Sequence, residues 1–322
     1  MSKFPVPPTF FQCPPLTPSE VEFVTTLGRQ SLADLIDVAR VDGGTMHWTL
    51  TSDDNGVQLY VGGDGDEESA LFCSVTEVLA TIDEAAGLFR LDTSTAFKAY
   101  ARNFAKDLLD SVSLYTLAKS TLARPHHYIG VKWIAYESPY PMVANRDFCY
   151  LECQDDFSLS NGKRGWARSF RSITLPCCPD LKHSLGLVRA TFQRAGFVFV
   201  EANRPGYLRV IHILQMHLGG RVPRFIVRAG MKRRARAIAD IDTFLRQQRL
   251  SQATCLHEYE LIPVASRSKC FLCHTKFGAF ATKRNCRICG EVVCRNCAQQ
   301  WDVPAARGRK LLRYYCLHRS PG

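Results

Sequence analysis

Hydrophobic and polar positions follow three rhythms along this chain. Over residues 19–41, apolar side chains recur at Val21, Val24, Leu27, Leu32, Leu35 and Val38, close to helical period, with Ser19 placed to cap the helix. Residues 46–51 and 56–62 read as two strands across an acidic, glycine-bearing turn at 52–56. Helical spacing returns over 75–89 and 93–109. From about 111 six strand-like segments follow, at 111–119, 127–137, 146–154, 164–175, 195–203 and 206–218. Each is rich in aromatic or β-branched residues and bounded by Gly, Pro or Asn. After Gly219-Gly220, Pro223 can open a long helix whose seam is Val227, Met231, Ile238, Ile241 and Leu245, ending near Leu250.

These patterns predict an α+β fold in four parts: a Pro-rich arm at 1–18, a main domain at 19–250, a linker at 251–268 and a cysteine-rich module at 269–322. The order of elements resembles the START lipid-transfer domain over 19–250. Matching stretches are Trp48 to Tyr60, residues 138–152 (SPYPMVANRDFCYLE) and residues 206–241. The resemblance implies a helix-grip fold, a curved antiparallel sheet around a long C-terminal helix, and an apolar tunnel for a hydrophobic lipid. Two arginines fall on tunnel-facing positions. Arg168 shares a strand face with Trp166 and Phe170, and Arg234 interrupts the helix seam. A cation there needs an anionic partner, either a carboxylate of the protein or a ligand headgroup.

The cysteines carry the most specific chemistry. Cys270-x2-Cys273, Cys286-x2-Cys289 and Cys294-x2-Cys297 precede Cys316 and His318. A C-x2-C pair brings two sulfurs to one tetrahedral ion at about 2.3 Å, so these eight residues suffice for two zinc sites. The Cys-x-His pair of a RING finger is missing.

The spacing and the core CRICGEVVCRNC are similar to a FYVE finger. That resemblance implies crosswise binding, with Cys270, Cys273, Cys294 and Cys297 on one zinc and Cys286, Cys289 and Cys316 on the other. The family's last cysteine is replaced by Arg319, which leaves His318 as the eighth ligand and His274 as a weaker alternative. The second site is therefore expected to be the weaker one. FYVE fingers recognise phosphatidylinositol 3-phosphate through three motifs, and this chain departs from each. Leu261 and Val264 stand for the Trp and Asp of the first motif. The basic run keeps Lys283, Arg284 and Arg287 but loses both histidines, with Arg284 and Asn285 in the two places before Cys286. Arg313 lies one place early in the third motif. The cations can still grip phosphate, and Phe280 falls on the loop that would meet a membrane.

Charge sharpens this picture. Of a formal net charge of +11, residues 265–322 supply +10, with 12 Lys/Arg against Glu291 and Asp302. Two zinc ions held by seven thiolates would leave about +7 there, suited to an anionic membrane. No secretory leader and no membrane-spanning run is recognised, so a reducing, cytoplasmic setting is expected, peripheral on endosomal-type membranes. The pattern argues against an enzyme, because no nucleophile–base arrangement is visible and eight ligands would close both zinc sites. The His126-His127 pair reads as a surface turn. Nucleic-acid binding lacks a recognition-helix spacing. The leading expectation is a lipid-binding or lipid-transfer protein docked by its finger; the alternative is a protein–protein scaffold with a structural finger.

Overall fold

Thr17, rather than Ser19, caps the first helix. In this computed structural model, which describes residues 3–54, 56–63, 71–90, 107–220, 222–278, 280–304 and 310–316, helix α1 spans Pro18–Val38. The Thr17 hydroxyl accepts the Glu20 N–H at 3.3 Å, and the Glu20 carboxylate accepts the Thr17 N–H at 2.7 Å. Pro18 takes the first helical position, where its missing N–H costs nothing. Ser19 therefore lies inside the first turn.

A hairpin follows, β1 (Trp48–Asp54) and β2 (Val57–Gly62). The helix expected over 75–89 is instead a strand and a short helix, β3 (Leu71–Leu79) and α2 (Ile82–Leu88). Strand β3 is buried at most positions, so a near-continuous apolar run hides its period of two. Thr81 and Glu84 form a second capping box that starts α2. The helix expected at 93–109 lies mostly outside the described residues, and its last positions open β4 (Leu108–Ala118). Then come β5 (Tyr128–Tyr136), β6 (Arg146–Ser158), β7 (Arg164–Ser172), a single turn α3 (Lys182–Leu185), β8 (Val188–Arg189), β9 (Thr191–Glu201) and β10 (Tyr207–His217).

These strands make one ten-stranded sheet in the order β1-β2-β3-β10-β9-β7-β6-β5-β4, with β8 parallel to β6. All other pairings are antiparallel. Register shifts in β1–β2, β9–β10 and three times in β4–β5 mark bulges that curve it. Strand alternation divides the core between two faces. Ile129, Val131, Trp133, Cys149, Leu151 and Val198 pack with Val24, Leu32 and Leu35 of α1. Ile134, Phe148, Tyr150, Phe192, Leu214 and Met216 pack on the opposite face with Met231 and Ala235. Gly196 is required where α1 meets the sheet. Its φ is +150°, and a Cβ there would stand 2.1 Å from the Arg168 carbonyl and 2.7 Å from Leu35.

The predicted terminal helix is interrupted. Helix α4 (Arg224–Arg236) passes through a 3₁₀ turn, Ala237–Ala239, into α5 (Asp240–Gln252). No Gly or Pro marks that point, so the break has no local sequence signal. Arg146 anchors the approach to α4 by donating to the Leu218 and Gly219 carbonyls at 3.0 and 3.1 Å. The arm is seated rather than free. Val6 is buried, the Phe11 ring packs at a tilt 5.0 Å from Trp133, and the Val6 N–H donates to Asp110 Oδ2 at 2.7 Å.

Contacts divide the chain into two units, Met1–Asp240 and Ile241–Gly322. In the second, Leu250 packs with Cys255 and Ile288. The segment expected as a linker continues onto the finger, because Leu256 N–H donates to the Arg287 carbonyl at 2.8 Å and Ile262 N–H to the Gly290 carbonyl at 3.2 Å. Two small ribbons complete this unit, β11 (Lys283–Asn285) with β12 (Val292–Cys294), and β13 (Ala298–Pro304) with β14 (Lys310–Cys316). Among the described residues no helix is long and apolar enough to cross a membrane.

Candidate functional site

Two C-x2-C turns in the finger share one backbone device. His274 N–H donates to the Cys270 carbonyl at 3.0 Å, and Gly290 N–H to the Cys286 carbonyl at 2.8 Å. Both closing residues have positive φ, +56° for His274 and +74° for Gly290. Glycine meets that demand without strain, and His274 meets it as a turn residue.

The sulfurs of Cys270, Cys273, Cys294 and Cys297 lie within 4.8 Å of one another. Cys273 and Cys294 are 3.8 Å apart, which equals the edge, about 3.8 Å, of a tetrahedron with 2.3 Å metal–sulfur bonds. Hydrogen bonds with the Thr275 side chain and backbone draw the Cys273 thiol down to about 6, while burial pushes Cys297 up to about 12. Four thiols this close cannot all ionise without a cation among them. The donor set therefore fits a zinc ion.

The other ligands are placed less fully. Cys286 is buried and Cys289 partly so, on the second knuckle. The β13–β14 register sets Cys316 opposite Ala298. His318 and Arg319 lie outside the described residues.

Of the cations singled out in the sequence, Lys283 is committed to the finger itself. Its Nζ donates to the Val264 and Arg267 carbonyls at 3.0 and 2.8 Å and stands 5.0 Å over the Phe277 ring. Arg284 lies beside it on β11, Arg287 is in the second knuckle, and Arg313 is on β14 opposite Trp301. Asn285, a departure from the basic motif, binds the Ile262 and Gly290 carbonyls through Nδ2 at 2.7 and 3.0 Å. It ties the segment before the finger to the knuckle. The two phenylalanines before β11 separate cleanly: Phe277 packs on the cysteine-lined core of the finger, and Phe280 is fully exposed.

Inside the first unit, Arg168 is 3% exposed, with its Nε 2.5 Å from Glu152 Oε1. Lys132 reaches Glu152 Oε2 at 2.8 Å. Burial works to raise the Glu152 carboxyl, but the charges and hydrogen bonds of Arg168 and Lys132 prevail and hold it at about 2. The Arg168 guanidinium also lies over the Phe89 and Phe170 rings at 4.9 and 4.7 Å. Arg234 is ion-paired with Asp107 at 2.7 Å and stacked 4.5 Å from Tyr136. Nearby His212 stacks on Phe197 at 4.3 Å, and burial followed by the Arg234 charge lowers it to about 3.

Both tunnel arginines thus meet protein carboxylates. The sequence reading named neither Glu152 nor Lys132, because only strand pairing brings them to Arg168. A small apolar cavity of about 90 Å³ lies between α4 and the sheet, lined by Tyr136, Phe148, Met216, Val227 and Met231. His126 is not a surface residue. Its side chain is 8% exposed, with Nδ1 2.9 Å from Asp156 and Nε2 3.0 Å from Asp83.

Comparison with known proteins agrees with this architecture. The START domain family model matches residues 129–250, and the FYVE zinc finger model matches residues 260–317. Human StAR-related lipid transfer protein 5 is a similar solved structure, at 15% identity and a TM-score of 0.53, covering 71% of this chain and 99% of its own. The human StarD13 lipid transfer and protein localization domain aligns at 16% identity and a TM-score of 0.46, over 71% of this chain and 98% of its own. None of the curated proteins matches in sequence. The chain carries a START-type helix-grip domain followed by a divergent FYVE-type zinc finger.

Proposed function

We propose that this protein binds a hydrophobic lipid in its START-type unit and docks on anionic membranes through its zinc finger, without catalysing a reaction. The observation that carries the membrane half is Phe280, fully exposed on the loop that leads into the basic strand β11. An aromatic side chain there wedges into the interface while Arg284, Arg287 and Arg313 attract phosphate. The finger holds two zinc ions in this reading, with Cys286, Cys289, Cys316 and His318 as the second ligand set. The relevant surface is an endosomal-type membrane containing phosphatidylinositol 3-phosphate. Recognition of that headgroup is loose, because Lys283 and Asn285 serve the finger's own backbone.

The lipid half requires movement. A cavity of about 90 Å³ is far below the roughly 300–1,000 Å³ of ligand pockets, so a lipid enters by lifting α4 from the sheet. Vesicle flotation with the zinc-loaded chain tests docking: binding to vesicles with phosphatidylinositol 3-phosphate, weakened by salt and by Phe280→Ala, is expected. Indifference to every anionic vesicle would remove this half. Native mass spectrometry tests the cargo.

The same small cavity favours a second reading, a scaffold with a filled core and a structural finger. A purified chain that carries no lipid and takes none from vesicles would decide for it.

A further inference from the structure

The first unit contains a sulfur pair that neither the finger nor the lipid reading uses. Cys13 on the Pro-rich arm and Cys177, between β7 and α3, stand with their Sγ atoms 3.1 Å apart across 164 residues of sequence. Both are partly exposed. Thiols left unbonded pack farther apart than this, and closure to a disulfide of about 2.05 Å needs only a small side-chain movement. Tyr115 of β4 completes the cluster, with its hydroxyl 3.7 Å from Cys177 and donating to the Pro14 carbonyl at 2.8 Å.

Neighbouring sulfurs do not compete. Cys178 is buried, a free thiol hydrogen-bonded with Cys149 and approached by Arg189 Nη2 at 3.6 Å. Burial and the adjacent Cys177 push the Cys13 thiol up to about 12, which disfavours Cys13 as the sulfur that peroxide attacks first.

We infer that Cys13 and Cys177 form a reversible disulfide under peroxide, clamping the N-terminal arm onto strand β4. The Cys177 sulfur takes one oxygen from hydrogen peroxide, giving a sulfenic acid and a water. The Cys13 sulfur then displaces that hydroxyl, which leaves with the Cys13 proton as a second water. Two thiols are oxidised to one disulfide, and one peroxide is reduced to two waters. The clamp acts on β4 because Val6 N–H already binds Asp110 and Tyr115 already binds Pro14. Strand β4 ends the sheet and contributes Ser113 and Thr116 to a polar pocket of about 440 Å³ with Lys132 and Gln154. Oxidation therefore fixes one wall of that pocket.

The test uses the full zinc-loaded chain, treated with equimolar hydrogen peroxide, alkylated and mapped by peptide mass, alongside hydrogen exchange. A linked peptide joining Cys13 to Cys177, lighter by two hydrogens and reopened by dithiothreitol, is expected, with β4 amides exchanging severalfold more slowly. Cys13→Ser and Cys177→Ser should each show neither change. Should a serine variant fail to fold, the wild-type comparison before and after dithiothreitol supplies the same contrast. Cys13 recovered fully alkylated after peroxide, a bond from Cys177 to Cys178, or a bond without slower β4 exchange would each overturn the clamp.

Discussion

Glu152 of β6 and Arg168 of β7 meet diagonally inside the sheet at 2.5 Å, although in register Glu152 faces Phe170 and Arg168 faces Gln154. Lys132 on β5 closes the cluster from the other side. One buried carboxylate thus answers two cations. Removing the carboxylate strands the buried Arg168 charge in an apolar interior, whereas removing Arg168 leaves Glu152 paired with Lys132.

Glu152→Gln leaves Arg168 and Lys132 facing a neutral amide. Breaking a buried pair from one side costs about 3–5 kcal/mol, so urea unfolding at pH 7 should show a loss of that order. The wild-type carboxyl titrates near 2 when folded and near 4.5 when unfolded. Its contribution is therefore fully present above about 4.5 and is lost as pH falls toward 2. The variant should lack that acid slope; an unchanged slope would show that Glu152 does not carry it.

His212 gives a second pH dependence with a higher upper limit. Burial lowers it from 6.5 to about 3, so the unfolded chain binds a proton between these values that the folded chain does not. Stability should therefore rise with pH through this window and level off above about 6.5. His212→Phe, which keeps the stack on Phe197, should flatten the rise between pH 6 and 4.5 in denaturation midpoints.

Metal content separates the two zinc sets. Cys270→Ser removes a member of the four-sulfur cluster and should lose about one zinc equivalent by elemental analysis. His318→Ala should lose one equivalent from the other set. Two equivalents retained after His318→Ala would exclude the histidine as a ligand.

Gly196→Ala tests the seat of α1. A methyl at that position meets the Arg168 carbonyl at 2.1 Å and Leu35 at 2.7 Å, so backbone must move. A loss on the order of 2–4 kcal/mol is expected in thermal or urea unfolding, whereas Gly87→Ala, with open space around it, should be nearly neutral.

Elements with a strong local signature were legible in the chain. The spacing of Val24, Leu32 and Leu35 gave α1, and turn-bounded runs rich in aromatic and β-branched residues gave β5, β7 and β10 near their observed limits. Strand β3 was misread as helix because burial on both faces erases periodicity. The cap at Thr17 was legible too, since Pro18 at the first helical position and Glu20 three residues after Thr17 are both helix-start signals, and the choice of Ser19 overlooked them. The C-x2-C knuckles were legible because each is a local device, while the grouping of Cys270 and Cys273 with Cys294 and Cys297 was expected only from the resemblance to a FYVE finger. The meeting of Glu152, Arg168 and Lys132 was not legible, since it depends on the pairing of three strands.

The sequence by itself determined the local periods, the knuckles and the concentration of positive charge on the last 58 residues, because each depends only on near neighbours and composition. Tertiary structure alone decided that both interior arginines are answered by carboxylates, that Lys283 and Asn285 are spent on the finger's own backbone, that Phe280 faces outward, and that Cys13 meets Cys177. Those contacts join segments distant in sequence, and their partners are fixed by strand register and packing rather than by any local pattern.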